Sequence, residues 1–424
     1  MIFNRRYQRI LRIALPAQVG TLTYNGQAQS PVWQDFDRNK MTVSGTTSST
    51  NAGTFTATFT PKSGYCWEDG SRDAKNVIWS IDKAAGSLNL SAASAAINIS
   101  ALTKTITVTR AGDGAITATS SNTSVAAVSV SGTTVTITGK NNGSATITVS
   151  VAAGTNHTAP TSKTISVTAD LPSRILADCT PAQIQATARA GQAPNWWNVG
   201  DKVPIKLSGT VGALTLNDTY YAFIIGFNHN SSIEGNNTIH FQLGKTADGT
   251  DIAFCDAGYD GYYNANTSAR FVANTTTINA GGWKDSYMRN TICPAFLNAM
   301  PTEWRNIIVS CTKYSDNTGG GNDTASYVTG TSDKIWLLAE FEAFGTQKYA
   351  NNAEKNYQKQ YDYYKNGKSK KKYQHDSADT VCEWRLRSVN GLSTGNFCGV
   401  TTKGIVTTPM ADYSYGFAPC FMVA

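Results

Sequence analysis

The chain has 424 residues, of which 41% are hydrophobic and only 15% charged, with a formal net charge of +7. That length holds about two to four domains, and 36 glycines with abundant Ser, Thr and Asn favour strands and turns over helices. The charge is local, in Arg5, Arg6, Arg9 and Arg12 and in the lysines between 365 and 372, and no basic groove with interleaved aromatics recurs, which argues against nucleic acid as a partner.

Residues 1–12 read as a basic extension, either an anchor to a larger assembly, through which other proteins of a particle would be met, or a frayed end. Arg9 and Arg12 interrupt any apolar core of a secretion signal, so none is expected. No run of roughly 18 apolar residues is present, and no membrane span is expected. A protein of this kind acting outside a cell would leave by lysis or by assembly into a particle.

Residues 13–83 predict a small all-β domain. Thr21-Leu22-Thr23-Tyr24 alternates and runs into the turn signal Asn25-Gly26. Thr54-Phe55-Thr56-Ala57-Thr58-Phe59 puts Phe55 and Phe59 on one face, and Val77-Ile78-Trp79-Ser80-Ile81 closes the unit. With Asn51-Ala52-Gly53-Thr54 and Gly64-Tyr65-Cys66-Trp67, these words resemble a bacterial immunoglobulin-like repeat.

Residues 84–169 predict a second β domain. The segments 104–109, 133–139 and 143–149 keep strict period-2 alternation, with Asn141-Asn142-Gly143 turning between the last two. Short, evenly spaced strands indicate a sandwich. The block 125–149 resembles the group-2 bacterial immunoglobulin-like domain. Both domains read as stiff spacers without chemical residues.

Leu171-Pro172-Ser173 marks a boundary, and from 172 to 424 aromatics concentrate and helical spacing appears. Met288, Ile292, Phe296 and Ala299 predict a helix that Pro294 breaks or kinks. Pro301 opens a shorter helix through Trp304 and Ile308. A further helix is expected over 351–365, with Ala353, Tyr357, Tyr361 and Tyr364 on one stripe. Asn317-Thr318-Gly319-Gly320-Gly321-Asn322 reads as a tight loop and Ile335-Trp336-Leu337-Leu338 as a buried strand. The region is expected to be α+β with irregular strands and long loops.

The chain carries 8 cysteines, Cys66, Cys179, Cys255, Cys293, Cys311, Cys382, Cys398 and Cys420. None makes a C-x-x-C pair, so a zinc cluster is not expected. Isolated cysteines in apolar runs read as small buried hydrophobes; one or two bridges after residue 170 stay open. His157, His229, His240 and His375 share no metal-binding spacing. Glu340 and Glu342 alternate as on a strand, a pattern open to acid/base work but more ordinary on a solvated or hydrogen-bonded face. No calcium-lectin signature is present, and no catalytic residue, metal or cofactor is expected. The lysines of 365–372 read as a solvated loop ending a helix.

Several separated motifs occur together: Gly281-Gly282-Trp283-Lys284-Asp285-Ser286-Tyr287-Met288-Arg289, Lys334-Ile335-Trp336-Leu337-Leu338, Glu340-Phe341-Glu342-Ala343-Phe344-Gly345, Trp384-Arg385-Leu386-Arg387-Ser388 and Tyr415-Gly416-Phe417-Ala418-Pro419. In this order they resemble a domain family of gut bacteria and their prophages, covering roughly residues 175–424. The resemblance implies a C-type-lectin-like fold of the formylglycine-generating-enzyme type. It also implies the variable proteins of diversity-generating retroelements, whose C-terminal codons are rewritten. Arg385 stands where that family commonly has an aromatic, as a variable position would.

The fold class expected is therefore multidomain: two all-β immunoglobulin-like sandwiches followed by an α+β C-type-lectin-like domain. The function the resemblance implies is a phage tail-associated receptor-binding or adhesin protein, not an enzyme, on the virion or a bacterial cell surface. Its expected ligand is a bacterial surface protein or glycan, and a homo-oligomer is compatible with that role. The expected contact residues are Arg385, Val389, Asn390, Leu392, Thr394, Asn396, Thr407, Met410, Asp412, Tyr413 and Tyr415, the tyrosines being stiff amphipathic contacts of the paratope kind. The alternatives are a formylglycine-generating-type enzyme, which needs an activated thiol or metal, and a virion decoration protein with no ligand.

Overall fold

A computed structural model describes residues 9–264 and 269–424. Arg5 and Arg6 of the basic extension lie outside the described residues. The protein is multidomain and mostly β, with 43% strand and 14% helix. It divides into two compact units, one ending at Leu171 and the other beginning at Pro172.

The first unit opens earlier than the sequence reading places it. Leu11–Ile13 is already a strand, paired parallel with Tyr65–Trp67, so Arg12 belongs to the fold and not to an extension. The main sheet has four strands, in the order Leu22–Thr23, Lys75–Asp82, Gly53–Pro61, Met41–Gly45. Alternation buries Ala57 and Phe59 from one strand against Trp79 and Ile81 from its neighbour, with Met41 and Trp67 completing the core. The indoles are anchored: Trp79 Nε1 donates to the Thr46 carbonyl at 2.7 Å and Trp67 Nε1 to Asp73 at 2.8 Å.

The same unit then forms a sandwich of two four-stranded sheets. One sheet runs Ser94–Asn98, Lys163–Asp170, Gly143–Val151, Ile116–Ser120; the other Ala126–Ser131, Thr134–Gly139, Thr103–Ala111, Ser87–Leu90. Ile97, Ile106, Val135, Ile137, Ile147, Val149 and Ile165 are almost fully buried between them. Each such side chain contributes about 1.5–3 kcal/mol on leaving water, so the period-2 pattern alone fixes which face turns inward.

The second unit is organised on a five-stranded sheet in the order Lys202–Val211, Leu214–Phe227, Ile239–Lys245, Cys420–Val423, Ile308–Val309. Its middle strand Ile239–Lys245 is buried at every position, as a sheet covered on both faces requires. The last strand, Cys420–Val423, pairs antiparallel on both sides, and Phe421 stacks on Phe241 at 5.2 Å between centroids. Around this sheet lie the helix Pro181–Arg189, begun by a capping box of Thr180 and Gln183, and three small sheets. These are Ile252–Ala253 with Lys372–Gln374 and Ser377–Cys382, Cys311–Asp316 with Val328–Asp333, and Trp384–Val389 with Phe397–Val400 and Val406–Thr407.

Several expected elements take other forms. Residues 288–299 are a π-turn at Met288–Ile292 continued by an α-helix at Cys293–Ala299, with Pro294 at the point where the one gives way to the other. Residues 335–338 are buried, but only Trp336 bridges, to Cys420. The segment 351–365 holds only two short helical turns, Glu354–Asn356 and Asp362–Lys365. The chain bends between them so that the Tyr361 amide reaches the Glu342 carbonyl at 3.0 Å and its ring enters the interior. Glu340 and Glu342 stand on the short helix Glu340–Phe344, not on a strand, and both are buried. Lys372, expected in solvent, is buried too; its neighbours Lys368 and Lys371 are exposed.

Candidate binding face

The strand Trp384–Val389 is buried at every residue, and its two arginines serve different neighbours. Arg387 reaches the interior. Its Nη2 donates to Glu342 Oε1 at 2.9 Å, its Nη1 to Glu342 Oε2, and its Nε to Ser315 Oγ at 2.8 Å. Lys313 Nζ continues the network to Glu234 Oε1 at 2.8 Å, Glu342 Oε1 at 3.3 Å and the Tyr361 hydroxyl at 2.7 Å. Burial pushes the Glu234 carboxyl up, but the ammonium of Lys313 and the imidazole of His229 outweigh it and hold the group at about 2. Glu342 is likewise held well down, its burial outweighed by Arg387 and Lys313. Two cations thus balance two carboxylates in a solvent-free site.

His229, Glu234 and His240 bring ligand-capable atoms within 4.8 Å of one another. Their geometry is already used: His229 Nδ1 lies 2.8 Å from Glu234 Oε2, and the Lys313 ammonium occupies the cation position on the other carboxylate oxygen. A divalent ion added there would meet that ammonium at close range in a low dielectric.

Arg385 turns toward the C-terminal loops. Its Nη2 donates to the carbonyls of Met410, at 3.1 Å, and Tyr413, and its guanidinium lies 5.4 Å from the Tyr415 ring. Burial lowers the group to about 10. It therefore props the 410–413 segment from beneath.

Above it four segments adjoin through backbone bonds. Asn279 N–H donates to the Thr394 carbonyl at 2.8 Å, Ala411 N–H to Gly395 at 2.8 Å, and Asn274 N–H to Ala411 at 2.9 Å. Asn396 bridges Met410, and Tyr262 bridges Tyr413. Asn279, fully buried, clamps the set: its Nδ2 donates to the carbonyls of Ser393 at 2.6 Å and Asn396 at 2.9 Å, and its Oδ1 accepts from Gly320 N–H at 2.8 Å. Gly319 has φ of +66°, and a Cβ there would sit 2.1 Å from the Asn279 carbonyl oxygen. The glycine loop is needed for this close approach.

The expected contact residues divide. Leu392 is 80% exposed and Met410 37% exposed; Thr394 is exposed as well, and Asn396, Thr407, Asp412 and Tyr413 are partly so. Arg385, Val389, Asn390 and Tyr415 are buried, which corrects their reading as contacts. Val389 packs with Ala273, Phe397 and Ala411; Asn390 Oδ1 accepts from Leu392 N–H at 2.9 Å; and Tyr415 lies over Arg385. All four belong to the frame. The sequence reading missed Tyr262 and Ile278, which are 59% and 51% exposed. Tyr262 packs edge-on to Tyr413 at 4.9 Å and directs its hydroxyl at Met410 Sδ, 3.9 Å away. Neither residue sits in a periodic segment; Tyr262 is revealed by its bridge to Tyr413, and Ile278 only by its neighbour Asn279, whose N–H donates to the Thr394 carbonyl.

The cysteine thiols of this unit whose acidity is perturbed are all shifted up. Burial raises Cys293, Cys311, Cys398 and Cys420, with the Glu340 carboxylate adding to Cys398. Such thiols are poor nucleophiles.

Residues 86–169 match the family described as bacterial Ig-like domain, group 2. Residues 263–424 match a domain of unknown function, DUF6273. No curated protein matches the chain. Among solved structures, domains 4 and 5 of the S-layer protein SbsC are 18% identical, covering 36% of this chain and 95% of that one, with a TM-score of 0.18. The C-terminal fragment of intimin, in complex with the translocated intimin receptor's binding domain, is 15% identical over 43% and 80% of the two chains, with a TM-score of 0.20. InvD of Yersinia pseudotuberculosis is 12% identical over 55% and 69%, with a TM-score of 0.19. Likeness at this level carries no information on ligand.

Proposed function

We propose that the chain is a non-enzymatic surface-binding protein, a phage or prophage tail-associated receptor-binding protein or adhesin, working on the virion or a bacterial cell surface. In this reading the immunoglobulin-like modules are spacers, and the second unit is a C-type-lectin-like scaffold that displays a ligand-binding face built from residues of the kind that retroelements diversify. The observation that carries the reading is the contrast between Leu392, Thr394 and Met410 in solvent and the loops beneath them, which buried Asn279 and Arg385 hold by their backbone. Loops fixed before binding lose little entropy on meeting a ligand, and changing their outward side chains leaves the frame intact. The upward-shifted thiols support binding over the formylglycine-generating chemistry, which needs an activated thiol.

The test is binding of the labelled full-length chain to intact cells of a panel of gut bacteria. A Leu392→Ser, Thr394→Ala, Met410→Ser triple variant is expected to lose at least about tenfold in affinity, a loss of about 1.4 kcal/mol. Equal binding by the variant removes this face as the site. Absence of binding to every cell type favours a decoration protein.

A further inference from the structure

A hollow of about 400 Å³ adjoins the loop face, a size typical of small-ligand sites. One wall is the loop that carries Asn274 and Ile278; the other runs from Asp285 through the π-turn Met288–Ile292. The first wall is also an edge of the face. Asn274 N–H donates to the Ala411 carbonyl at 2.9 Å, and a Cβ at Gly395 would sit 2.7 Å from the Thr277 carbonyl oxygen. Exposed Ile278 belongs to both.

The polar groups around the hollow divide in two. Some are spent on the backbone and set the distance between the walls. Asn274 Nδ2 donates to the Ile278 carbonyl at 2.8 Å and its Oδ1 accepts from Tyr287 N–H at 3.3 Å, while Ser286 Oγ donates to the Trp283 carbonyl at 2.9 Å. The hydroxyls of Thr275, Thr276, Tyr287 and Thr291 and the carboxylate of Asp285, by contrast, have no hydrogen-bond partner among the described residues. No lysine, arginine or histidine among the described residues lines the hollow.

Aromatic rings lead from the hollow to the exposed loops. Tyr287 meets Tyr263 at 5.9 Å between centroids, and Tyr263 N–H donates to the Asp412 carbonyl at 2.6 Å. The next residue, exposed Tyr262, stands edge-on to Tyr413 at 4.9 Å.

We infer that the ligand of this face is a neutral glycan, with one pyranose unit seated in the hollow and adjoining units laid across Tyr262 and Tyr413. The inference rests on the reading of the loops as a binding face and adds the chemical class of what they bind. A sugar hydroxyl both donates and accepts, and so do the threonine and tyrosine hydroxyls. The Asp285 carboxylate accepts from two neighbouring hydroxyls through its two oxygens. The C–H side of a pyranose suits the ring of an exposed tyrosine, which is amphipathic itself. An anionic polymer would bring its charge against Asp285 with no cation in the lining to answer it. A protein interface centres on apolar and aromatic anchors, with charge depleted; here hydroxyls and a carboxylate fill the concave part.

The test uses the labelled full-length chain and cells of a strain that it binds, given two treatments. Sodium periodate cleaves vicinal diols and so destroys glycans; proteinase K strips surface protein. Periodate is expected to lower binding by at least about tenfold, with binding retained after proteinase K. Thr291→Phe, which fills the hollow from an exposed position, is expected to weaken binding by about tenfold or more at an unchanged melting temperature. The cell treatments use the natural chain, so they decide even where that variant misfolds. Binding that survives periodate and is lost to proteinase K identifies a protein ligand; it overturns the glycan and leaves the loop face standing. Equal binding by folded Thr291→Phe, with the Leu392→Ser, Thr394→Ala, Met410→Ser variant still defective, overturns the hollow as the seat of the sugar. Absence of binding to every cell type defeats the loop-face reading itself, and the glycan with it.

Discussion

Arg387 grips both oxygens of the Glu342 carboxylate inside a site from which water is excluded, with Nη2 to Oε1 at 2.9 Å. A bidentate guanidinium–carboxylate pair fixes direction as well as distance. It ties the strand Trp384–Val389, which leads into the loop face, to the helix Glu340–Phe344. Removing one partner strands the other as an unpaired buried charge. Arg387→Met is expected to cost about 3–5 kcal/mol of stability, read from urea unfolding. Adding Glu342→Leu is expected to recover part of that loss, because the uncompensated charge is then gone.

Glu354 gives the fold a pH dependence of its own. Burial raises its carboxyl to about 7, although Ser388 Oγ, at 2.6 Å, and the Asp316 amide, at 2.9 Å, favour the ionised form. The native state therefore binds more protons than the unfolded chain between its ordinary value of 4.5 and about 7. The stability from protonated Glu354 is complete below pH 4.5 and lost as the pH rises through about 7. Glu234, held at about 2, acts oppositely: its contribution is present above 4.5 and lost as the pH falls through about 2. Midpoints of urea unfolding are expected to decline from about pH 5 to pH 7.5, and Glu354→Gln is expected to flatten that decline. An unchanged slope in the variant assigns it to another group.

Arg385 tests the division between frame and display. Its Nη2 is spent on the carbonyls of Met410 and Tyr413, while its Nε and Nη1 have no hydrogen-bond partner. Replacing the side chain with Met removes an imperfectly satisfied charge and, at the same time, the prop under the loop. The net change in global stability is expected to stay within about 2 kcal/mol. Amide hydrogen exchange over residues 410–414 is expected to speed by at least about tenfold, as a local opening cheaper by about 1.4 kcal/mol would give. Uniform acceleration across the unit counts against a prop confined to this loop.

The sequence made these outcomes readable to different depths. Period-2 alternation in the first unit identified a shared face for Phe55 and Phe59, because a half-buried strand imposes that pattern locally. In the second unit the interior is partly ionic, and ionic cores leave no periodic trace. Lys372 read as a solvated residue for that reason, Glu340 and Glu342 as a solvated or hydrogen-bonded face, and Arg385 as a contact. The stripe Ala353, Tyr357, Tyr361 and Tyr364 has helical spacing, yet Tyr361 is drawn to Lys313 at 2.7 Å, and the chain bends to satisfy that bond. The loop face was half legible: Leu392 and Met410 stood out as apolar residues in polar runs, whereas Tyr262 joins them through its bridge to Tyr413 and Ile278 through its neighbour Asn279, which bonds Thr394, both pairings across more than a hundred residues.

The glycine loop beneath the face sets a steric limit. Gly319 needs positive φ and abuts the Asn279 carbonyl, so Gly319→Ala strains the backbone and displaces the clamp that holds Ser393 and Asn396. A cost of about 1–3 kcal/mol is expected, with a lower melting temperature and faster exchange over residues 392–396.

Leu392→Ser supplies the opposite case. At 80% exposure the side chain buries almost nothing in the isolated protein, and substitutions of that kind shift stability by no more than about 0.5 kcal/mol. If the loop face engages a partner, the same leucine is desolvated on binding and its loss is felt there alone. Unfolding curves of Leu392→Ser and the natural chain are expected to superimpose while cell binding weakens by about threefold or more, the reverse of the Gly319→Ala result. A substitution that lowers binding only in proportion to lost folded protein would place Leu392 in the frame with Val389. Fluorescence-monitored urea unfolding and cell binding, made on the same preparations, separate the two.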